Sequence, residues 1–89
     1  MLRYQSDGNL VLYAANGTPL WASDTAGASP GRAELQTDGN FVVYDGAGVP
    51  LWDTGSYAPG GYLTVKTGGY LMLYDASSVG IWWTGSGTP

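Results

Sequence analysis

Residues 5–13 read Gln-Ser-Asp-Gly-Asn-Leu-Val-Leu-Tyr, and this pattern occurs three times in 89 residues. Residues 36–44 read Gln-Thr-Asp-Gly-Asn-Phe-Val-Val-Tyr, and residues 66–74 read Lys-Thr-Gly-Gly-Tyr-Leu-Met-Leu-Tyr. A tryptophan follows each copy at a nearly constant distance, at Trp21, Trp52 and Trp82. A period of about 30 residues is typical of repeat architectures. We therefore expect one small domain over residues 1–89, built from repeats at about 1–31, 32–61 and 62–89.

The alternation within each repeat predicts three short β-strands and no helix. Apolar and polar residues alternate with a period of two, in segments rich in Val, Leu, Tyr and Phe that Gly-rich turns interrupt. No segment has the i, i+3, i+4 apolar spacing of an amphipathic helix. The predicted strands span residues 2–5, 9–14, 19–23, 33–36, 40–45, 50–54, 62–66, 70–75 and 80–84.

Each copy ends its turn in a glycine, which predicts the geometry of a hairpin. Residues 6–8 and their counterparts suit a three-residue loop, in which a type I turn is followed by a left-handed glycine bulge. With three loop residues, Gln36 lies directly opposite Asn40, and opposed residues point to the same face of a sheet. One face of this hairpin therefore carries Gln36, Asn40, Val42 and Tyr44, with Asp38 at its turn end.

The opposite face is apolar in all three repeats and is the predicted core. Three small sheets that each have one apolar face and one tryptophan can bury those faces only against each other. The sequence therefore predicts an all-β, three-sided prism with pseudo-threefold symmetry, in which the tryptophans meet near the axis. The predicted core residues are Leu2, Tyr4, Leu10, Leu12, Leu35, Phe41, Val43, Leu63, Val65, Leu71 and Leu73.

Composition disfavours several classes of function. Three basic residues against seven acidic ones give a net charge of −4, which disfavours a nucleic acid or an anionic membrane surface as partner. The chain has no cysteine and no histidine, which removes thiolate metal sites and the commonest general base. No apolar run is long enough to span a membrane. We expect no nucleic acid partner, no membrane insertion, no metal and no cofactor.

The polar face of the first two hairpins suits a neutral sugar. Turn chemistry explains Asp-Gly but requires neither Gln nor Tyr. Gln and Asn side chains donate and accept hydrogen bonds, a carboxylate accepts, and a tyrosine hydroxyl does either, which matches the hydroxyls of a hexose. Such a site also rejects a sugar with a misplaced hydroxyl, because a polar group then stays unpaired.

The pattern Gln-x-Asp-x-Asn-x-Val-x-Tyr, with its period and its trailing tryptophan, resembles the bulb-type, snowdrop-like mannose-binding lectin family of monocots. The resemblance runs from Leu2 to about Ser86 and implies a type II β-prism that binds terminal α-mannose without a metal. It implies that Asp and Asn hold the axial 2-hydroxyl, Gln the 3-hydroxyl and Tyr the 4-hydroxyl, while Val contacts the ring. The first site is then Gln5, Asp7, Asn9, Val11 and Tyr13, and the second site is Gln36, Asp38, Asn40, Val42 and Tyr44.

The third copy departs from the family pattern. Without the carboxylate and the amide, mannose recognition should be lost there, so we expect two working sites and one degenerate site. Of its five positions, only the last matches the pattern. The degenerate site consists of Lys66, Gly68, Tyr70, Met72 and Tyr74.

The beginning of the chain also departs from the family, whose members carry about 20 residues before the first motif. Nine strands are expected in place of twelve, which leaves a sheet edge open to pairing. Because family members often exchange C-terminal strands, the resemblance implies a homodimer, and exchange of Gly80–Ser86 is one way in which it could form. No signal peptide pattern is visible, and an extracellular or cell-surface location is favoured.

Two other classes of function compete with a lectin. A protein-interaction or structural module could use the same scaffold without binding sugar, and Trp83 could serve as a stacking surface or a dimer contact. A glycoside hydrolase would need a pair of carboxylates at a defined separation. Asp7 and Asp38 belong to different sheets, and Asp45 and Asp75 follow strand ends in separate repeats. We therefore expect no enzyme.

Overall fold

The nine predicted strands are all present in the computed structural model, which describes residues 1–84. Each repeat forms one antiparallel three-stranded sheet with its second strand in the centre. The fourth strand begins three residues before its predicted start, because Pro30 and Arg32 extend its pairing to Asp45 and Tyr44. The described residues contain no helix long and apolar enough to cross a membrane. The strands are β1 Leu2–Tyr4, β2 Leu10–Tyr13, β3 Pro19–Ala22, β4 Pro30–Leu35, β5 Phe41–Asp45, β6 Pro50–Asp53, β7 Tyr62–Lys66, β8 Tyr70–Tyr74 and β9 Gly80–Trp83.

The first hairpin of each repeat has the predicted three-residue loop. In repeat one, the Gln5 N–H donates to the Asn9 carbonyl at 2.8 Å, and the Gly8 N–H donates to the Gln5 carbonyl at 3.0 Å. Gly8 has a φ of +90°, in the left-handed region that a residue without Cβ reaches at little cost. Gly39 and Gly69 repeat this conformation at +85° and +86°. The predicted sharing of faces follows directly from this geometry.

The core is built from the central strands. β2, β5 and β8 bury their inward-facing apolar side chains almost completely, and each such burial contributes about 1.5–3 kcal/mol before the entropy cost of ordering the side chain. The outward-facing residue in the middle of each central strand is buried as well, and it pairs in register with a residue of each flanking strand. The inward-facing residues are Leu10, Leu12, Phe41, Val43, Leu71 and Leu73, and the outward-facing ones are Val11, Val42 and Met72.

The tryptophans meet as predicted. Trp21, Trp52 and Trp82 contact one another edge to face, with ring centroids 5.2, 5.7 and 5.9 Å apart. Each pairs in register with an inward-facing residue of the central strand of its sheet. The three rings are only partly buried, so they close the core without being enclosed by it. This contact joins all three sheets.

Val65 departs from its predicted role in the core. Its strand position is as expected, opposite Leu71, but half of its surface is exposed. The equivalent residue of repeat one, Tyr4, reaches repeat two, where its hydroxyl accepts from the Gly31 N–H at 2.7 Å. Val65 instead lines an open groove between the first and third sheets with Met1 and other residues. The prediction was wrong because the junctions between sheets differ although the repeats are alike.

The last strand pairs within its own chain. β9 aligns with β8, placing Trp83 on the outer face opposite Met72, with 39 % of its surface exposed. The segment predicted to exchange between subunits continues to Ser86, and residues 85 and 86 lie outside the described part of the chain.

Candidate functional site

In the first two repeats, glutamine and tyrosine form a pair on the outer face. Gln5 Nε2 donates to the Tyr13 hydroxyl, and Gln36 Nε2 donates to the Tyr44 hydroxyl. Because the tyrosine oxygen accepts from the amide, its own proton can be donated to a ligand. The glutamine Oε1 can in turn accept. Each pair therefore offers one donor and one acceptor.

The aspartate of each site is held by its own turn. Asp7 Oδ1 accepts from the Asn9 N–H at 2.9 Å, and Asp38 Oδ1 accepts from the Asn40 N–H at 2.9 Å. Both aspartates are exposed at the turn end of the outer face. One carboxylate oxygen is thus used to fix the side chain, and the other can accept from a ligand.

The asparagine side chain is bound from behind. Asn9 Oδ1 accepts from the Thr25 N–H at 3.1 Å and from the Ser23 hydroxyl at 3.3 Å. Asn40 Oδ1 accepts from the Ser56 N–H at 3.3 Å and from the Thr54 hydroxyl at 3.1 Å. With Oδ1 facing the protein, Nδ2 is the group that each asparagine can offer to a ligand.

The partners of the asparagines were missed by sequence reasoning. They lie two and four residues after the repeat tryptophan, and we call Ser23 with Thr25, and Thr54 with Ser56, the hydroxyl pairs. The sequence signal is a hydroxyl residue at both positions in all three repeats, since Thr84 and Ser86 follow Trp82 at the same distances. The asparagines therefore stabilise the fold as well as the proposed site, whereas the sequence analysis assigned them to the ligand alone.

The valines offer little surface to a ligand. Val11 lies between Asn9 and Tyr13 on the outer face and is 4 % exposed, and Val42 is 3 % exposed. The contact with a sugar ring implied by the resemblance is therefore limited to the small part left uncovered. These two valines mainly fill the space beneath the polar side chains of their sites.

Basic side chains lie beside both sites. The Arg32 guanidinium is 4.1 Å from the centroid of the Tyr44 ring and pairs with Glu34 at 2.7 Å. The hydrogen bond with Glu34 raises the pKa of Arg32. In repeat one Arg3 lies 6.0 Å from the Tyr13 ring and pairs in register with Val11, the position that Glu34 occupies opposite Val42 in repeat two. The charges flanking the two sites thus differ, although their central residues are the same.

The third hairpin has a different outer face. Lys66 takes the position of the glutamine, with Nζ 4.9 Å from the centroid of the Tyr74 ring, and its hydrogen bond with Tyr74 raises the pKa of Lys66. Tyr62 stacks on Tyr74 with centroids 5.1 Å apart. Gly68 and Tyr70 stand where a carboxylate and an amide would be needed, and Met72 is fully buried. This face therefore has neither of the groups that define the other two sites.

The structure of the chain is similar to those of several lectins. A monomeric monocot mannose-binding lectin of Gastrodia elata superposes with a TM-score of 0.85 and 34 % identity, over 98 % of this chain and 80 % of that one. The Polygonatum cyrtonema lectin complexed with monomannoside gives 0.75 and 34 %, over 99 % and 79 %. The snowdrop (Galanthus nivalis) mannose-specific agglutinin complexed with methyl-α-D-mannoside gives 0.56 and 30 %, over 98 % and 72 %.

The chain matches no protein-family model and no curated protein sequence. The agreement with solved lectins nevertheless extends over nearly its whole length, and it combines identity of 30 % or more with the same arrangement of sheets. The protein is a β-prism, a carbohydrate-binding lectin and not an enzyme. It belongs to the monocot bulb-type mannose-binding lectin family.

Proposed function

We propose that this lectin binds terminal α-mannose at two sites. The observation that carries the proposal is the duplication of one hydrogen-bonding arrangement. In both hairpins the glutamine bonds the tyrosine, the aspartate bonds the turn, and the asparagine Oδ1 is held from behind. The first site comprises Gln5, Asp7, Asn9, Val11 and Tyr13, and the second comprises Gln36, Asp38, Asn40, Val42 and Tyr44.

The groups left unpaired suit mannose. A hydroxyl placed between the carboxylate and the asparagine Nδ2 can donate to the first and accept from the second. This pair would read the axial 2-hydroxyl, since glucose points the same hydroxyl elsewhere and leaves both groups unpaired. The glutamine Oε1 and the tyrosine proton would bind the 3- and 4-hydroxyls. The complexes of the Polygonatum and snowdrop lectins with mannosides support this ligand class.

Two sites in one chain support binding to glycan-covered surfaces. Each site is an open hairpin face, so we expect weak binding to a single sugar. Linking two weak sites raises avidity by about 10²–10⁴-fold where both can engage. The degenerate third face is not included in this count.

The test is a titration of ¹⁵N-labelled protein with methyl α-mannoside and methyl α-glucoside, followed by NMR. Amides of the first two hairpins should shift with mannoside, those of the third should not, and glucoside should have little effect. Asp7→Ala should silence the first hairpin, Asp38→Ala the second, and the double variant should lose retention on a mannose column.

Asp75→Ala is the matched control for these variants. Asp75 also accepts from two turn N–H groups, those of Ser77 and Val79 at 2.9 Å, so its removal costs a similar turn contact outside the sites. The Asp75→Ala variant should retain mannose binding at both sites. A wild-type protein that responds to neither sugar would instead favour a protein-interaction or structural module on this scaffold.

The homodimer stays a prediction. The Gastrodia relative is described as monomeric, and β9 pairs within its own chain. Light scattering after gel filtration measures the mass directly, and a single species at the monomer mass of 9.3 kDa would contradict strand exchange.

A further inference from the structure

We infer that the hydroxyl pairs are positioning residues for sugar recognition: they fix the orientation of the Asn9 and Asn40 amides. The inference rests on the proposed function. None of these four side chains was predicted to affect binding, and none belongs to the proposed contact residues. In repeat one both members, Ser23 and Thr25, are buried, at 5 % and 8 % exposure.

The orientation follows from counting protons in repeat one. The Thr25 hydroxyl donates its single proton to the Gly8 carbonyl at 2.6 Å. The Ser23 hydroxyl accepts from the Leu10 N–H at 3.1 Å and lies 2.8 Å from the Thr25 hydroxyl. Its single proton is therefore shared between the Thr25 oxygen and Asn9 Oδ1. Every donor of the pair is used inside the protein.

A flipped Asn9 amide would meet a fixed donor. The Thr25 N–H cannot rotate, and a flip would turn the amide NH₂ toward it and leave this buried N–H without an acceptor. The Thr25 hydroxyl keeps this N–H in place by its bond to Gly8. The asparagine is thus locked with Oδ1 inward and Nδ2 outward, as recognition of the 2-hydroxyl requires.

Repeat two contains the same network with the residue types exchanged. The Ser56 hydroxyl donates to the Gly39 carbonyl at 2.8 Å and lies 2.6 Å from the Thr54 hydroxyl, which accepts from the Phe41 N–H at 3.1 Å. Serine precedes threonine in one repeat, and threonine precedes serine in the other. The common element is therefore the pair of hydroxyls, whatever the carbon skeleton.

In repeat three the first hydroxyl of the pair bonds the central strand although there is no asparagine to orient. Thr84 also accepts from the central strand, through the Leu71 N–H at 3.0 Å, as Ser23 and Thr54 do. Tyr70 replaces the asparagine, so there is no amide to orient. The first hydroxyl thus supports the central strand in every repeat. Ser86 stands at the second position of repeat three but lies outside the described residues. Thr25 and Ser56 do not bond the central strand and are therefore the better probes of positioning.

The test uses Thr25→Val, which removes the hydroxyl and keeps the shape, with Thr25→Ser as the conservative rescue. By NMR titration with methyl α-mannoside, Thr25→Val should weaken the first site about five- to tenfold and leave the second unchanged. In the sugar-free protein it should also shift the side-chain NH₂ signals of Asn9, but not those of Asn40. Thr25→Ser should restore both properties.

Ser56→Ala is the reciprocal variant and should affect only the second site and Asn40. It also serves if Thr25→Val does not fold. Unchanged affinity and unchanged Asn NH₂ signals in the altered repeat would overturn the inference, as would Thr25→Ser failing like Thr25→Val. The NH₂ signals are measured without sugar, so they test the positioning of the asparagines independently of binding. If neither hairpin of the wild type binds mannose, the proposed function is refuted, and the NH₂ signals still decide whether the hydroxyl pairs orient the amides.

Discussion

The second and third hairpins share a backbone but differ in nearly every outward-facing side chain. Gly39 and Gly69 have φ values of +85° and +86°, and each donates its N–H to the residue that opens the turn. Thr54 and Thr84 bond the central strand in the same way. Yet residues 36–44 present a carboxylate and two amides, whereas residues 66–74 present a lysine and aromatic rings. The hairpin therefore does not depend on the recognition residues.

The second hairpin also makes hydrogen bonds to the loop that follows β6. In repeat two, the loop after β6 is tied to the turn by the Ala58 N–H donating to Asp38 O at 2.8 Å, and by the Asn40 amide. In repeat three, Tyr70 takes the asparagine's place and cannot make this amide contact. The asparagine consequently couples the proposed sugar-binding face to the loop after β6.

The largest effect is expected when Gly39, the glycine of the second turn, is replaced by alanine. A Cβ at Gly39 would lie 2.4 Å from the backbone N and O of Ala58, in addition to the strain of its positive φ. Gly39→Ala should lower the free energy of unfolding by about 3 kcal/mol or more and disrupt the second site. At Gly69 the nearest atom is Leu20 Cδ1 at 2.9 Å, which can move.

Gly69→Ala is therefore the control, with an expected loss of about 1 kcal/mol from the backbone alone. Urea unfolding measures both variants. Equal losses would show that the backbone contact with Ala58 adds nothing, and that the two turns are alike in their surroundings as well as in their conformation.

A smaller effect is expected from Asn40→Asp, which separates the two functions of the asparagine. A carboxylate oxygen still accepts from Thr54 and Ser56, but the outward donor is lost and a second negative charge comes near Asp38. Mannoside binding at the second hairpin should fall about tenfold or more, with stability nearly kept. Asn40→Ala should lose both. Asn40→Asp that binds mannoside as well as the wild type would contradict the assignment of Nδ2 as the ligand donor.

Sequence reasoning was sufficient for the strands, the turns and the sharing of faces, because period-two alternation and a glycine at a fixed position determine them locally. The tryptophan cluster also followed, since one such residue per sheet has few other places to pack. The exposure of Val65 could not be predicted, because it depends on how two sheets meet across the groove beside Met1. The hydroxyl pairs were missed for a similar reason: Thr25 meets Asn9 across 16 residues of chain.

The smallest signal is expected from an attempt to restore the third site, which tests the comparison of the hairpins most directly. We predict that Lys66→Gln, Gly68→Asp, Tyr70→Asn and Met72→Val together make the third hairpin respond to methyl α-mannoside in NMR titrations. Gly68 does not have a positive φ, so aspartate fits its backbone. The neighbour a Cβ would crowd is the Tyr70 ring at 3.1 Å, which the same set removes.

Met72→Val removes volume from a fully buried position and should cost about 1 kcal/mol of stability. The control keeps Gly68 and carries the other three changes, so that it has the same cavity and amides but lacks the carboxylate. Binding only in the fourfold variant would show that the shared backbone suffices to place the five recognition residues. If the fourfold variant folds but its third hairpin does not respond, recognition also needs the loop contacts that Asn40 makes in repeat two. The decisive difference between the hairpins would then lie in the loop that supports the outer face, and not in the five recognition residues.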